Sequence, residues 1–216
     1  MNILIMGPAG SGKGTMSSKI IEGYEVPHIS TGDMFRAAIK EGTELGLTAK
    51  KYIDQGMLVP DEITIAMVKE RLAQPDCQEG YLMDGYPRTL KQAHVFEEIA
   101  EELNRPVDVV INLTVEFDEL AKRVTGRRLC KNCGAIYHIT NFPPKQEGIC
   151  DTCGSPLIQR SDDTVEQLRV RLSEHHKNTE PVLAFYAEKG LVKDVNASQD
   201  IESVWHDIKE VLGEKK

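Results

Sequence analysis

Residues 7–15 of the chain read Gly7-Pro8-Ala9-Gly10-Ser11-Gly12-Lys13-Gly14-Thr15 and follow a short apolar run, Ile3-Leu4-Ile5-Met6. A glycine-rich turn between a strand and the first turn of a helix leaves backbone N–H groups that point at one place. That place suits an anion, above all a chain of phosphates, and Lys13 adds a full positive charge beside it. The Gly7-x4-Gly12-Lys13 spacing therefore predicts a phosphate-binding loop rather than a plain connecting turn.

Two positions bear on a magnesium ion that would accompany the phosphates. Gly14 occupies the place after the lysine where the general motif has a Ser or Thr hydroxyl on the metal. We therefore expect magnesium to be held through water and substrate phosphates. Asp84 ends an apolar strand, where a second acidic group near the metal belongs. The alternative is that Asp84 only begins a turn with Gly85.

Bulk composition sets limits on the function. The chain has 216 residues, of which 40% are hydrophobic and 28% are charged, and its formal net charge is -8. An acidic chain has no overall positive field for a polyanion, so nucleic acid is not expected as its main partner. Apolar runs stay well short of the roughly 20 residues that span a bilayer, and a signal-peptide pattern is missing. We expect a cytoplasmic address and no membrane partner.

Apolar segments alternate with helical patterns along most of the chain. This order predicts an α/β fold with a five-stranded parallel sheet and helices on both faces. Pro181 lies inside a long helical pattern and should kink or split it. We expect strands at 2–6, ending at 30, 81–84, 107–113 and 191–195, and helices after the loop to about 24 and at 61–74, 89–104, 117–125, 164–189 and 200–212. Residues 31–59 and 126–163 break the alternation and are interpreted as insertions on the sheet.

Four of the five cysteines form a repeated pattern. Cys130 and Cys133 open one Cys-x-x-Cys-Gly segment, and Cys150 and Cys153 open another. The glycine after each pair permits a tight turn that aims two sulfurs at one centre, so four thiolates predict a closed structural zinc site. An iron site and two disulfides remain alternatives. Cys77 stands apart and is interpreted as a plain thiol.

Arginines are scattered over the second half of the chain and around the first insertion. Phosphoryl transfer requires positioning and positive charge more than covalent chemistry, and guanidinium groups bind phosphate oxygens in a bidentate, permanently charged geometry. A single arginine is more often a solvated surface charge. A Ser–His–Asp or Cys–His constellation does not stand out, and none is needed when the nucleophile is a phosphate oxygen. The arginines concerned are Arg36, Arg88, Arg123, Arg127, Arg128, Arg160, Arg169 and Arg171.

Together these motifs resemble those of bacterial adenylate kinases of the long, zinc-containing type. The likeness runs over essentially the whole chain, and the Asp84-Gly85-Tyr86-Pro87-Arg88 segment is highly specific to nucleoside monophosphate kinases, although their common form has Phe at the position of Tyr86. The other segments that carry it are residues 7–15, His28-Ile29-Ser30-Thr31-Gly32-Asp33-Met34-Phe35-Arg36, Leu58-Val59-Pro60-Asp61-Glu62, Thr125-Gly126-Arg127-Arg128 and the cysteine quartet.

The resemblance implies a P-loop kinase fold and the reversible reaction of ATP and AMP to two ADP. Magnesium would accompany ATP, zinc would be structural, and the protein would act as a monomer without nucleic acid. Residues 1–29, 60–125 and 164–216 would form the core nucleotide-binding domain. Residues 30–59 would be the AMP-binding flap, and residues 126–163 would be the lid. Lid closure would exclude water, which otherwise accepts the phosphoryl group.

The resemblance also implies a role for individual residues. Gln92 would pair with the adenine edge of AMP, and Asp162 and Asp163 would help to lock the closed lid. The implied catalytic residues are Lys13, Asp84, Arg88, Arg127, Arg160 and Arg171. ATP would contact Gly10, Ser11, Gly12, Lys13, Gly14, Thr15, Arg123, Arg127, Ile136, Tyr137 and Gln199. AMP would contact Thr31, Arg36, Met57, Leu58, Val59, Gly85, Tyr86, Pro87, Arg88, Gln92, Arg160 and Arg171. Zinc would be held by Cys130, Cys133, Cys150 and Cys153.

Three other functions remain alternatives. A monophosphate kinase acting on UMP, CMP or GMP would share the same motifs, and only the resemblance, through Thr31 and Gln92, favours adenine. A nucleotide-dependent switch with a zinc-ribbon binding module would not need the insertion at 31–59, which suits a second nucleotide pocket. Nucleic-acid binding through the cysteine segment is disfavoured by the overall acidity and by the 6% aromatic content.

Overall fold

A computed structural model describes residues 1–213 of the chain. Eight strands and nine α-helices alternate over most of this range, as the sequence predicts. The strands are β1 (Asn2–Met6), β2 (His28–Ser30), β3 (Tyr81–Asp84), β4 (Val109–Thr114), β5 (Arg127–Cys130), β6 (Ile136–His138), β7 (Leu157–Ile158) and β8 (Val192–Asn196). The helices are α1 (Lys13–Tyr24), α2 (Thr31–Glu41), α3 (Glu44–Ile53), α4 (Asp61–Leu72), α5 (Leu90–Glu102), α6 (Phe117–Gly126), α7 (Val165–Glu174), α8 (Glu180–Glu188) and α9 (Ile201–Leu212).

The main sheet has five parallel strands in the order β2-β3-β1-β4-β8, which confirms the predicted fold class. Strand β1 lies in its centre and is buried on both faces, which explains its unbroken apolar run. Leu4 and Met6 belong to the core on one face, and Ile3 and Ile5 belong to the core on the other. The loop after β1 lies at the carboxyl end of the strand. Because β1 is central, this loop lies in the middle of the sheet's carboxyl edge, where ligands bind in such sheets.

Helices cover both faces of the sheet. On one face the core includes Val68 of α4, Phe96 of α5 and Tyr186 of α8. On the other face, Ile20 of α1 and Ile208 of α9 pack against the strands. Within residues 1–213, none of these helices combines the length and apolar character that crossing a bilayer requires.

The first insertion is a pair of short helices, and the second is a small sheet. Helices α2 and α3 pack around a separate apolar cluster with Phe35, Ala49 and Val59. Strands β5, β6 and β7 form an antiparallel sheet in the order β6-β5-β7. The sequence predicted no long helix there, and the structure agrees.

The helical pattern over 164–189 is interrupted, as Pro181 predicted. Residues His175–Thr179 form a wider π-helical turn between α7 and α8. Proline lacks an N–H, and its ring clashes with the carbonyl four residues earlier, here that of Lys177. The wider turn accommodates this conflict without ending the helix.

Candidate functional site

The loop between β1 and α1 has backbone angles that only glycine adopts readily. Gly7, Gly10 and Gly12 have φ values of 138°, 87° and 97°. A Cβ at Gly7 would lie 2.6 Å from the carbonyl oxygen of Leu113, and one at Gly10 would lie 2.7 Å from Val124 Cγ2. Gly12 is the N-cap of α1, and it has no side chain that could occupy the first N–H groups. The start of α1 is therefore left for an anion.

Lys13 curls back over this loop. Its Nζ donates to the carbonyl oxygens of Gly7, at 2.7 Å, and Pro8, at 2.9 Å. Burial lowers the pKa of the amino group from 10.5 to about 8, although the Asp84 carboxylate opposes part of this shift. Three arginines, Arg88, Arg127 and Arg171, lower the pKa further through their charges. The amino group therefore lies among cations and would be stabilised by a bound anion.

Asp84 lies at the carboxyl end of β3, beside the end of β1. It pairs in register with Ile5 of β1 and Ser30 of β2, and its side chain is 13% exposed. Its Oδ2 is 3.5 Å from His28 Nε2. The carboxylate thus lies near the phosphate loop, close enough to influence Lys13, and it retains lone pairs for a water or a cation.

Five arginines converge near the loop from separate elements. Burial lowers the pKa of Arg171 to about 10, and the charges of Arg127, Arg88, Arg160 and Arg36 contribute to the shift. Burial also lowers the pKa of Arg160 to about 10, with contributions from Arg36 and Arg127. The Nε atom of Arg160 is buried and has no hydrogen-bond partner within residues 1–213. Such a crowd of cations costs free energy unless an anion joins it.

Four aspartates face this cluster. Asp163 accepts from Arg127 Nε at 2.9 Å, and a second bond joins the same pair through Arg127 Nη2. Asp162 pairs with Arg171. Both aspartates are buried, so these pairs hold the segment after β7 to the arginines. The third, Asp33, accepts from Arg36 Nη2 at 2.6 Å; the fourth is Asp84.

The turn after β3 is tied to α5 by hydrogen bonds. The carbonyl oxygen of Gly85 accepts from Thr31 Oγ1 at 2.9 Å and from Arg88 Nε at 2.8 Å. Gln92 is 2% exposed, and its Oε1 accepts from the Arg88 amide at 2.8 Å. Its Nε2 donates to Asp61 Oδ1 at 2.7 Å. One N–H and one lone pair of the amide remain for a ligand, so its expected contact with adenine stays a prediction.

The remaining residues expected to contact AMP lie around this turn. Tyr86 is 1% exposed, and its ring packs edge-on against Phe96. Val59 is buried at the base of the first insertion, whereas Met57 is 46% exposed. Leu58 is half-buried between them, and Pro87 is buried next to Tyr86. Only Met57 thus offers a largely free side chain.

The residues expected to contact the ATP base are less closely grouped. Arg123 Nε donates to Glu119 Oε1 at 2.9 Å on the same helix, and Gln199 Nε2 donates to Asp207 Oδ2 at 2.6 Å. Ile136 reaches the loop from the small sheet, because its Cδ1 would lie 3.1 Å from a Cβ placed on Gly14. The small sheet therefore lies over the start of α1 in this structure. Ser11 is buried, and Thr15 follows in the first turn of α1.

Tyr137 lies in the small sheet and not beside the loop. It is 4% exposed, and its ring stacks on Phe142 with 5.6 Å between centroids. Its hydroxyl accepts from the Asp151 amide at 2.8 Å and lies 3.6 Å from Cys150 Sγ. The side chain is thus engaged at the cysteine cluster, and an ATP contact of Tyr137 stays a prediction.

The four cysteines form one cluster of free thiols. Cys130 and Cys153 sulfurs are 3.4 Å apart, Cys133 and Cys150 sulfurs are 3.5 Å apart, and all four lie within 4.8 Å of one another. Tetrahedral zinc–thiolate ligands are about 3.8 Å apart. Gly134 and Gly154, which follow the two pairs, have φ values of 78° and 70° and close matching turns. The donor set and its spacing fit a tetrahedral metal.

Sequence reasoning missed three contributors to the site. Asp33 was not assigned a function but pairs with Arg36, and Asp61 was read only as a helix start but holds Gln92 and Thr89. His175 lies near Lys13 and Arg88; burial lowers its pKa to about 4, and both cations contribute. For Asp33, the i,i+3 spacing to Arg36 was a usable signal. The other two contacts join residues far apart in sequence.

Comparison with known proteins identifies the relatives of this chain. A family profile described as adenylate kinase matches residues 5–191. Adenylate kinase from Geobacillus sp. (strain WCH70) is 56% identical over 213 residues, which cover 99% of each chain. Adenylate kinase from Bacillus subtilis (strain 168) is 55% identical over 99% of this chain and 98% of its own. Adenylate kinase from Archaeoglobus fulgidus is 50% identical over 98% of each.

Proposed function

The chain belongs to the adenylate kinase family, and we propose that its loop, arginine cluster and two insertions together transfer the γ-phosphoryl group of ATP to AMP, giving two ADP, and catalyse the reverse. One observation carries the proposal. A glycine loop with Lys13 and arginines from both insertions and from the core converge on one place, and the neighbouring positive charges help to lower the pKa of Lys13, Arg160 and Arg171. Lys13 and five arginines face four aspartates, and the net positive charge that remains suits two phosphate chains that meet end to end.

On the ATP side, we propose that residues 10–15 hold the phosphates through backbone N–H groups. Lys13 leaves its two carbonyl partners and follows the transferring group. Arg123, Ile136, Tyr137 and Gln199 are proposed to line the rest of the nucleotide. The contact of Ile136 with Gly14 supports a lid that covers the loop.

On the AMP side, four arginines are proposed to bind the phosphate: Arg36, Arg88, Arg160 and Arg171. The base is proposed to lie against Thr31, Gly85 and Gln92. Residues 57–59 and 86–87 would lie beside the base. The AMP oxygen that attacks needs no general base, because a phosphate monoester with a second pKa near about 6 is already mostly dianionic at neutral pH. The protein's task is to hold attacking and leaving oxygens in line and to stabilise charge on the oxygens of the transferring group.

The division of labour among segments is part of the proposal. Residues 1–29, 60–125 and 164–216 would act as the core, residues 30–59 as the AMP-binding flap and residues 126–163 as the lid. The sheet β5–β7 is separate from the main sheet and supports independent movement of the second insertion. The cluster around Phe35 gives the first insertion a small apolar core, against which Ile63 and Met67 of α4 also pack. Closure would keep water away from the phosphoryl group. The buried pair Arg171–Asp162 joins the core to the lid and would stabilise the closed position, whereas the pair Arg127–Asp163 lies within the lid and would fix Arg127 there.

Metals complete the proposal. Magnesium bound with ATP supplies positive charge along the phosphate chain, and Asp84, with its free lone pairs beside Lys13, is suited to face it through water. Cys130, Cys133, Cys150 and Cys153 are proposed to hold a structural zinc ion, which would replace the apolar core that this small sheet lacks. Iron in place of zinc would be revealed by elemental analysis of the purified protein.

The cellular location and the oligomeric state are also part of the proposal. Five free cysteines suit a reducing compartment, so we propose that the protein works in the cytoplasm. We also propose that it acts as a monomer, since the residues proposed to hold the two nucleotides all belong to one chain. Light scattering at working concentration would test this, and a dimer with loss of activity on dilution would contradict it.

The test of the activity is ADP formation from ATP with AMP, UMP, CMP or GMP as acceptor, with and without magnesium. We expect fast turnover with AMP only. Lys13→Met should lower turnover by about 1,000-fold in a folded protein, whereas the control Lys19→Met, on the same helix but paired with Glu202 at the surface, should not. Fast phosphorylation of UMP with idle AMP, or equal turnover by the two variants, would contradict the proposal.

A further inference from the structure

Gly126, the last residue of α6, leaves a space that is filled by the ring of His138 from β6. A Cβ built on Gly126 would lie 2.2 Å from His138 Nε2, 2.5 Å from Cε1 and 3.0 Å from Cδ2. Real Cβ atoms do not come so close to other heavy atoms. The absence of a side chain at this position is therefore what allows the imidazole to pack against the end of the helix.

The ring nitrogens of His138 have distinct partners. Nδ1 is 3.1 Å from the backbone nitrogen of Thr140 and 3.2 Å from that of Asn141. Because a backbone N–H can only donate, Nδ1 accepts these bonds and the hydrogen lies on Nε2. Nε2 donates to the carbonyl oxygen of Lys122 at 3.2 Å. The edge of the ring with Nδ1 thus orders the turn after β6, and the edge with Nε2 contacts α6.

The end of α6 is held by groups from β6 and from the segment after β7. A helix leaves its last four carbonyl oxygens without partners inside the helix. Among these, the Thr125 oxygen accepts from Gln159 Nε2 at 3.2 Å, and the Gly126 oxygen accepts from the Ile139 amide at 3.0 Å. Together with the bond from His138 to the Lys122 oxygen, which lies one residue before those four, these bonds tie α6 to β6 and to the segment after β7.

These hydrogen bonds at the end of α6 lie next to Arg127. Arg127 is the first residue of β5 and pairs in register with His138. We propose that His138 is a positioning residue: through Nε2 and Lys122 it fixes β6 on the end of α6, and so sets the place of the Arg127 guanidinium among the other cations. The inference rests on the role proposed above for Arg127 in phosphoryl transfer. It also implies that the end of α6 and the lid move as one body, and that bending occurs elsewhere.

Two amide substitutions distinguish the hydrogen bonds of Nδ1 from the hydrogen bond of Nε2. The amide of Gln at 138 reaches the position of Nε2 and can donate to Lys122, whereas the amide of Asn reaches the position of Nδ1 and can accept from Thr140 and Asn141. We expect His138→Asn to lower kcat about 10-fold, because a catalytic group displaced by a fraction of an ångström loses much of its effect. His138→Gln should retain kcat within about 3-fold, and KM for AMP should stay unchanged in both variants.

Thr140→Val serves as the matched control, because it deletes a hydroxyl 3.0 Å from Nδ1 and leaves the bond to Lys122. It should keep full kcat. Hydrogen exchange at the Ile139 amide, which bonds to Gly126, adds a readout besides activity and should speed up in His138→Asn only. Equal kcat for His138→Asn and His138→Gln, or unchanged exchange at Ile139, would overturn the proposal.

A double-mutant cycle with Arg127→Met shows whether His138 acts through Arg127. In the Arg127→Met protein, His138→Asn should have almost no further effect on kcat. If it still lowers kcat by its full factor, the inference is wrong although the proposed role of Arg127 stands. If Arg127→Met by itself leaves kcat unchanged, the proposed role of Arg127 fails, and the inference fails with it.

Discussion

If the ATP phosphates bind beside Lys13 as proposed, the position of Lys13 among three arginines should make ATP binding depend on proton uptake. In the ligand-free protein the pKa of its amino group is lowered to about 8, mainly by burial. The amine is therefore charged below this pH and neutral above it. A bound triphosphate places negative charge next to Nζ and raises the pKa again. Binding at alkaline pH must then draw a proton from the buffer.

The size of the effect follows from the titration curve. With a pKa of about 8, roughly 10% of the free protein lacks the Lys13 proton at about pH 7, and roughly 75% lacks it at about pH 8.5. Proton uptake per bound nucleotide should therefore rise from about 0.1 to about 0.75 between these pH values. Arg160 and Arg171, with pKa values of about 10, and His175, with a pKa of about 4, do not change charge in this range.

Isothermal titration calorimetry measures this uptake directly. An ATP analogue with a terminal thiophosphate, which is fully ionised at both pH values, is titrated without AMP in buffers of different ionisation enthalpy. Lys13→Arg is the matched control, because guanidinium keeps its charge throughout, and it should show almost no uptake at either pH. Uptake that stays flat from neutral to alkaline pH in the unaltered protein, or that is equal in Lys13→Arg, would refute the assigned environment of Lys13.

Three further predictions concern the metal cluster and the AMP side. Removing the metal with a chelator should melt residues 127–158 first and lower the melting temperature, with activity surviving in the cold; scanning calorimetry that finds metal-free and metal-loaded protein equally heat-stable would contradict a structural ion. Tyr137→Phe keeps the ring on Phe142 but deletes the hydroxyl near Cys150, so metal release to a chromogenic chelator should be about 10-fold faster; an unchanged rate would show that the hydroxyl does not support the site. Asp61→Ala removes the acceptor of the Gln92 amide. Steady-state kinetics should then give a KM for AMP raised about 10-fold and an unchanged KM for ATP. A raised KM for ATP with an unchanged KM for AMP would contradict a role of Asp61 in AMP binding.

The sheet and its loop could be predicted because their signals are local. The buried strand β1 has an unbroken apolar sequence. The glycines after it are required because their φ angles are between 87° and 138°. Thr89 and Thr164 cap the helices predicted to begin there, and these helices begin one residue later, at Leu90 and Val165. The predicted strand at 107–113 begins two residues later, at Val109, although the Asp108 amide already bonds to Asn2 of β1.

The composition of the arginine cluster could not be predicted from local signals. Arg123 and Arg127 are only four residues apart, yet Arg123 pairs with Glu119 one helical turn earlier, whereas Arg127 pairs with Asp163, which is distant in sequence. Which guanidinium groups meet depends on the docking of the small sheet over the loop. Only the family resemblance supplied that information.

Contacts that join distant segments were missed for the same reason. The ring of His138 over Gly126 leaves no periodic trace in the sequence, because a glycine at a helix end is common and usually serves only the turn. The bond between Asp61 and Gln92 joins residues on two helices. Pro181 predicted a break in the helix but not its form, the wider turn at His175–Thr179.

The central claim is that two nucleotides meet at the start of α1 beneath the arginine cluster. The most direct measurement is a crystal structure with a bisubstrate mimic, in which two adenosines are joined through a chain of phosphates. We expect the phosphates along Gly10 to Thr15 and between Lys13, Arg88 and Arg127, with one adenosine on each side. Either adenosine bound away from this loop, or a phosphate chain without arginine contacts, would contradict the account.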